Sequence, residues 1–155
     1  MLEIGAKAPD FTLQDQDGNE VSLKDFLGRP VIIFFYPKDN TPGCSAHAAG
    51  FGELFPQFDA KGAVVLGISK DGVASHRKFH EKLRLPYRLL SDPEHVVLEA
   101  YGAWQMMKRY GREYMGTKRS AVLIDAQGNV AITVGNAKPA DNPAQMLEVL
   151  CRIGQ

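Results

Sequence analysis

The chain carries two cysteines, Cys44 and Cys151, and the first stands where a thiol becomes a nucleophile. Cys44 follows Thr41-Pro42-Gly43, just beyond the apolar run Val31 to Tyr36. After it, Phe51, Leu54, Phe55 and Phe58 recur at helical spacing, so Cys44 opens a helix. The first N–H groups of a helix lack internal partners and the macrodipole makes that end positive, which stabilises a thiolate. The thiolate is the attacking species, so the placement creates reactivity as well as charge. Thr41 supplies a hydroxyl three residues away, and Lys38 and a distant arginine can add positive charge. The competing reading is a small buried hydrophobe, the ordinary fate of a lone cysteine. Spacing alone does not separate one thiol chemistry from another.

The elements that must position this cysteine can be read from both sides of it. Phe11 to Leu13 and Val21 to Leu23 flank an Asp17-Gly18 turn as a β-hairpin. Val31 to Tyr36 and Ala63 to Ile68 are apolar on both faces, as buried central strands are. A helix runs between them, to about Ala60. Val73 to Leu85 reads as an amphipathic helix with Phe79 and Leu83 inward, stopped before Pro86, and Tyr87 to Leu90 as a short strand. Ser91-Asp92-Pro93-Glu94 reads as a helix start. Arg119 to Asp125 and Val130 to Val134 form strands about a turn, and a final helix from about Asp141 carries Met146, Leu147, Leu150 and Ile153. This order predicts an α/β fold: a thioredoxin-like three-layer sandwich with a central mixed sheet and an N-terminal β-hairpin, in one domain over 1–155.

The whole chain bounds the function. At 155 residues it is the size of one domain, with 18 basic and 18 acidic side chains in balance. Nothing in that balance calls for a nucleic acid or an anionic membrane. The N-terminus has no basic, apolar leader, and six apolar residues from Val31 are too few to span a bilayer, so a soluble, cytoplasmic protein is expected. There is no C-x-x-C, which disfavours an ordinary dithiol oxidoreductase. No nucleotide-binding glycine motif occurs, and no cofactor is expected. His76 and His80, four apart, read as a solvated helix face rather than a metal site. Lys108 to Tyr114 mixes basic and aromatic residues as RNA-binding strands do, but zero net charge argues against that use.

The string Tyr36-Pro37-Lys38-Asp39-Asn40-Thr41-Pro42-Gly43-Cys44 resembles the active-site loop of peroxiredoxins, matching P-x-x-x-T-x-x-C at Pro37, Thr41 and Cys44. Gly67 to Asp71, Leu89 to Pro93, Tyr101 to Trp104 and Tyr110 to Gly116 resemble the bacterioferritin comigratory protein, or peroxiredoxin Q, branch, in its order. The likeness spans roughly residues 3 to 135. It implies a thiol peroxidase in which Cys44 becomes a sulfenic acid. Thr41 and the Cys44 N–H would bind the peroxide oxygens, and Pro37 would shield the site. The family's arginine opens the strand R-S-x-x-x-I-D, here Arg119 to Asp125, so Arg119 would hold thiolate and substrate.

Three departures from the branch concern recycling. The position five residues after the first cysteine, a frequent resolving cysteine, is Ala49; the helix Val73 to Leu85 contains none; and the usual Glu or Gln three residues after the cysteine is His47, expected to be partly exposed and left outside the catalytic set. The implied cycle uses one cysteine, with hydroperoxide as substrate and thioredoxin, glutaredoxin or a small thiol as reductant, in a monomer or weak dimer. One alternative makes Cys151 the resolving residue, although its place beside Leu150 points to packing. Another, of a different class, is a redox-sensing or chaperone-like binding module.

Overall fold

The computed structural model describes residues 2–153. Strands β1 (Thr12–Asp15) and β2 (Glu20–Ser22) form the N-terminal hairpin, and a short 3₁₀ turn (Leu23–Phe26) leads to β3 (Val31–Phe35). Then come α1 (Pro42–Ala60), β4 (Val64–Ser69), α2 (Val73–Leu83), β5 (Arg88–Ser91) and α3 (Val96–Ala100). Strands β6 (Trp104–Arg109), β7 (Arg112–Thr117), β8 (Ser120–Ile124) and β9 (Val130–Val134) precede α4 (Asn142–Ile153). Seven strands make one mixed sheet in the order β2-β1-β5-β4-β3-β8-β9, while β6 and β7 pair apart from it. This is the three-layer arrangement expected from the sequence.

Alternation along β3 divides the core. Val31, Ile33 and Phe35 pack with Leu66, Ile68, Val97, Leu98 and Tyr101 on the α3 side. Ile32 and Phe34 face the other way, onto Phe51, Phe58, Phe79, Met146 and Leu150 of α1, α2 and α4. Both faces of β3 are therefore covered, which explains its unbroken run of β-branched and aromatic residues. Parallel pairing with β4 requires a crossover, and α1 supplies it. The turn from β3 into α1 thus lies at the carboxyl end of a central strand, where open α/β sheets place their ligands.

Register decides what faces that turn. Strand β8 is antiparallel to β3 with Ser120 opposite Phe35, so the residue before β8, Arg119, emerges at the same end as the β3–α1 loop. On the far side of α1, Gly50 admits α4: a Cβ there would lie 2.8 Å from Pro143 Cγ. Residues 137–142 close over the same end, with the Ala137 N–H donating to the Arg119 carbonyl at 3.0 Å and the Asn142 N–H to the Lys138 carbonyl at 2.8 Å.

Two expectations need correction. The second helix stops at Leu83 because Arg84 takes a left-handed conformation, with φ of 51°. Pro93-Glu94 stays outside α3, which begins at Val96; Asp92 still caps it, accepting from the Val96 and Leu98 N–H groups at 3.1 and 2.8 Å. Ile153, the last residue of α4, is 41% exposed. Among the described residues no helix is long and apolar enough to cross a membrane.

Candidate active site

Thr41 is the N-cap of α1 and Pro42 its first residue, a position where proline's missing N–H goes unmissed. Cys44 therefore lies in the first turn, and its side chain is 1% exposed. Thr41 makes no side-chain cap; its hydroxyl donates instead to the Lys38 carbonyl at 3.0 Å. The helix's leading N–H groups consequently keep their capacity for a sulfur or substrate oxygen.

Arg119 meets the sulfur from the residue just before β8. Its Nη2 donates to Cys44 Sγ at 3.2 Å, and its Nη1 to His47 Nδ1 at 3.2 Å. Gly43 lets the guanidinium in, since a Cβ there would lie 3.2 Å from Nη2. Two sources of positive potential thus converge on one sulfur: a helix start and a guanidinium.

His47 overturns its sequence expectation. It is wholly buried, packed against Phe34 and Phe51 with ring centroids 4.8 and 5.4 Å away. Its Nε2 contacts Asn142 Oδ1 at 2.8 Å, and Asn142 Nδ2 donates to Gln145 Oε1 at 3.0 Å. Burial lowers the His47 pKa from 6.5 to about 4; the Asn142 bond opposes that fall and the Arg119 charge adds to it. Its position three residues after Cys44, on one helix face, was a legible sign. Asn142, 95 residues away from His47, gave no such sign.

The loop carrying Pro37 and Thr41 is pinned from behind. Asp39, almost wholly buried, accepts from Tyr36 Oη at 2.6 Å and Ser75 Oγ at 2.8 Å, and pairs with His76 Nδ1 at 2.7 Å. His76 is wholly buried, its Nε2 2.9 Å from the Leu90 carbonyl, and His80 Nε2 holds the Tyr87 carbonyl at 2.9 Å. Neither ring forms the solvated face expected for this pair. Although Asp39, Asp71 and His76 lie close enough to share an ion, their polar atoms are engaged with one another and with Ser69, Ser75 and Tyr36.

The sequence-predicted residues are therefore divided by the fold. Cys44 and Arg119 touch, Thr41 borders them at the helix start, and Pro37 and Lys38 are exposed on the loop. Cys151 is elsewhere. It lines a cavity with Pro30, Lys61 and Asp125, at the end of the sheet opposite the β3–α1 turn. Along α1 alone, Cys44 and Lys61 are separated by about 25 Å.

The chain is similar to known proteins along nearly its whole length. Residues 4–133 match the AhpC/TSA family. The chain is 42% identical over 149 residues to peroxiredoxin Bcp of Bacillus subtilis, covering 96% of this chain and 95% of that protein. It superposes with a TM-score of 0.93 and 30% identity on the bacterioferritin comigratory protein of Xanthomonas campestris, studied for alkyl peroxide reduction, covering 99% of this chain and all of that one. Peroxidoxin BcpB of Mycobacterium tuberculosis gives 0.88 and 32%, over 99% of both chains. A cysteine and an arginine joined at the start of α1, within a fold and sequence matched end to end, leave one conclusion: the chain belongs to the AhpC/TSA family, as a thiol peroxidase of the Bcp, or peroxiredoxin Q, branch.

Proposed function

We propose that Cys44 is the peroxidatic nucleophile of this thiol peroxidase, with Arg119, Thr41 and Pro37 completing its site. The observation that carries the reading is the Arg119 Nη2 donor 3.2 Å from a sulfur at a helix N-terminus. The Cys44 thiolate attacks one oxygen of a hydroperoxide. The O–O bond breaks, its electron pair leaves with the far oxygen, and that oxygen takes a proton to become an alcohol or water. Sulfur is oxidised to the sulfenic acid as the peroxide is reduced. Arg119 and the Cys44 N–H stabilise the charge that grows on the departing oxygen. Because the Thr41 hydroxyl already donates to Lys38, its lone pairs are left to accept the hydroperoxide O–H. Pro37 shapes the loop and limits water at its mouth.

An external thiol then attacks the sulfenic sulfur, releasing water and forming a mixed disulfide that a second thiol resolves. Ala49 on α1 and a cysteine-free α2 favour this one-cysteine cycle. The placement of Cys151 at the opposite end of the sheet argues against an intramolecular resolving role. Thioredoxin, glutaredoxin or a small thiol fits the reductant's chemistry, supplied in a reducing compartment such as the cytoplasm.

The test is the intact mass of reduced protein after one equivalent of hydrogen peroxide, with and without a sulfenate-trapping dione. A trapped adduct on Cys44, absent in Cys44→Ser, is expected. Unmodified protein after minutes would remove the assignment.

A further inference from the structure

Arginine only donates hydrogen bonds, and this fixes the direction of every bond behind it. His47 Nδ1 can meet Arg119 Nη1 at 3.2 Å only as an unprotonated acceptor. The ring's proton must then sit on Nε2, donating to Asn142 Oδ1 at 2.8 Å. Asn142 in turn donates from Nδ2 to Gln145 Oε1 at 3.0 Å, which sets its amide orientation. Reversing the imidazole tautomer would set donor against donor at Arg119, and turning the Asn142 amide alone would do so at His47. The chain Arg119→His47→Asn142→Gln145 therefore runs one way, from α1 into α4.

Packing holds this chain in register. His47 and Asn142 are both wholly buried, and the Gly50–Pro143 approach fixes the distance between their helices. The Phe34 and Phe51 rings leave the imidazole little room to turn. No titratable side chain other than Arg119 contacts His47 among the described residues' hydrogen bonds.

We infer that His47 and Asn142 are positioning residues for peroxide reduction: a neutral imidazole, held in its Nε2–H tautomer by Asn142, aims the Arg119 guanidinium at Cys44. The inference rests on the peroxidatic reading of Cys44. A neutral acceptor leaves the guanidinium's full charge for the sulfur and substrate, while fixing one of its two forward nitrogens. Protonation of the ring puts an N–H against Nη1 and releases the arginine.

The experiment mixes reduced full-length protein with hydrogen peroxide and follows Cys44 oxidation from pH 4 to 8. His47→Leu should slow oxidation by about tenfold or more, as expected for loss of a hydrogen bond to a charged group. His47→Gln, which restores a neutral acceptor, should return the rate to within about threefold of wild type. Asn142→Asp should move the acid limb of the rate upward, because a carboxylate beside Nε2 favours the imidazolium. The double variant His47→Gln/Asn142→Asp separates this from a direct effect of the carboxylate on Cys44. It keeps the new charge but has no imidazole to protonate, so its limb should return toward wild type. A limb that stays raised overturns the inference, as does a folded His47→Leu protein with the wild-type rate. Wild-type protein that leaves peroxide untouched overturns the Cys44 reading as well.

Discussion

Arg119 has two tasks at one planar group, and small neighbours decide whether it can do both. Gly43 is the tightest of them, because a methyl at that position would press on Nη2. Gly43→Ala should displace the guanidinium and lower the rate constant for sulfenate formation about tenfold while leaving the helix intact; stopped-flow oxidation beside circular dichroism would show both. Arg119→Lys keeps a charge but loses the fork, and should fall short of wild type by more than Gly43→Ala does. His47 adds a pH dependence of stability. The folded protein keeps the ring neutral to about pH 4, whereas the unfolded chain takes up its proton near 6.5. Its contribution is therefore complete above pH 6.5 and disappears as the pH falls to about 4, by up to about 3 kcal/mol. Urea unfolding at pH 7 and 4.5 should show this loss in wild type and a smaller one in His47→Gln. At this scale the sequence disclosed Cys44 through its place after a strand, and Arg119 through a family pattern. Asn142 was hidden because side-chain partners 95 residues apart leave no local trace.

Helices and loops set the distances on which those side chains depend. The α1–α4 contact at Gly50 leaves no space for a methyl, so Gly50→Ala should destabilise the protein by about 1–3 kcal/mol despite alanine's better helix propensity. Thermal unfolding would check the sign, which propensity alone would reverse. The β3–α1 loop hangs on Asp39, and His76→Leu removes one of that carboxylate's three side-chain partners while leaving Tyr36 and Ser75. A loss of about 1–3 kcal/mol is expected, visible as a lowered Tm. Most elements were legible because their apolar spacing was clear. The β6–β7 hairpin was not, since both of its faces are largely exposed and show no alternation. Its turn was written in Tyr110-Gly111, where φ is 52° and 75°, but a two-residue signal without patterned flanks is easily passed over. His76 was misread for the opposite reason: helical spacing gave its face, while its partner came from another loop.

Across the whole molecule, the two sulfurs occupy opposite ends of the sheet. Cα atoms must approach within about 7 Å to form a disulfide, and α1 alone holds the ends about 25 Å apart. Cys151→Ser should therefore keep full peroxidase turnover, and oxidised monomer should show no Cys44–Cys151 bridge by non-reducing peptide mapping. The layered mixed sheet was foreseeable from alternating elements, whereas the strand order and the polarity of the molecule were not. The 1% exposure of the Cys44 side chain also has a kinetic meaning. A hydroperoxide is small enough to diffuse to the sulfur, but a protein thiol must bring a whole surface with it. Oxidation should then rise linearly with peroxide concentration, while reduction by a protein dithiol should level off at the rate at which the first turn of α1 opens. That plateau would be a property of the helix, identical for every bulky reductant, and a small thiol would exceed it.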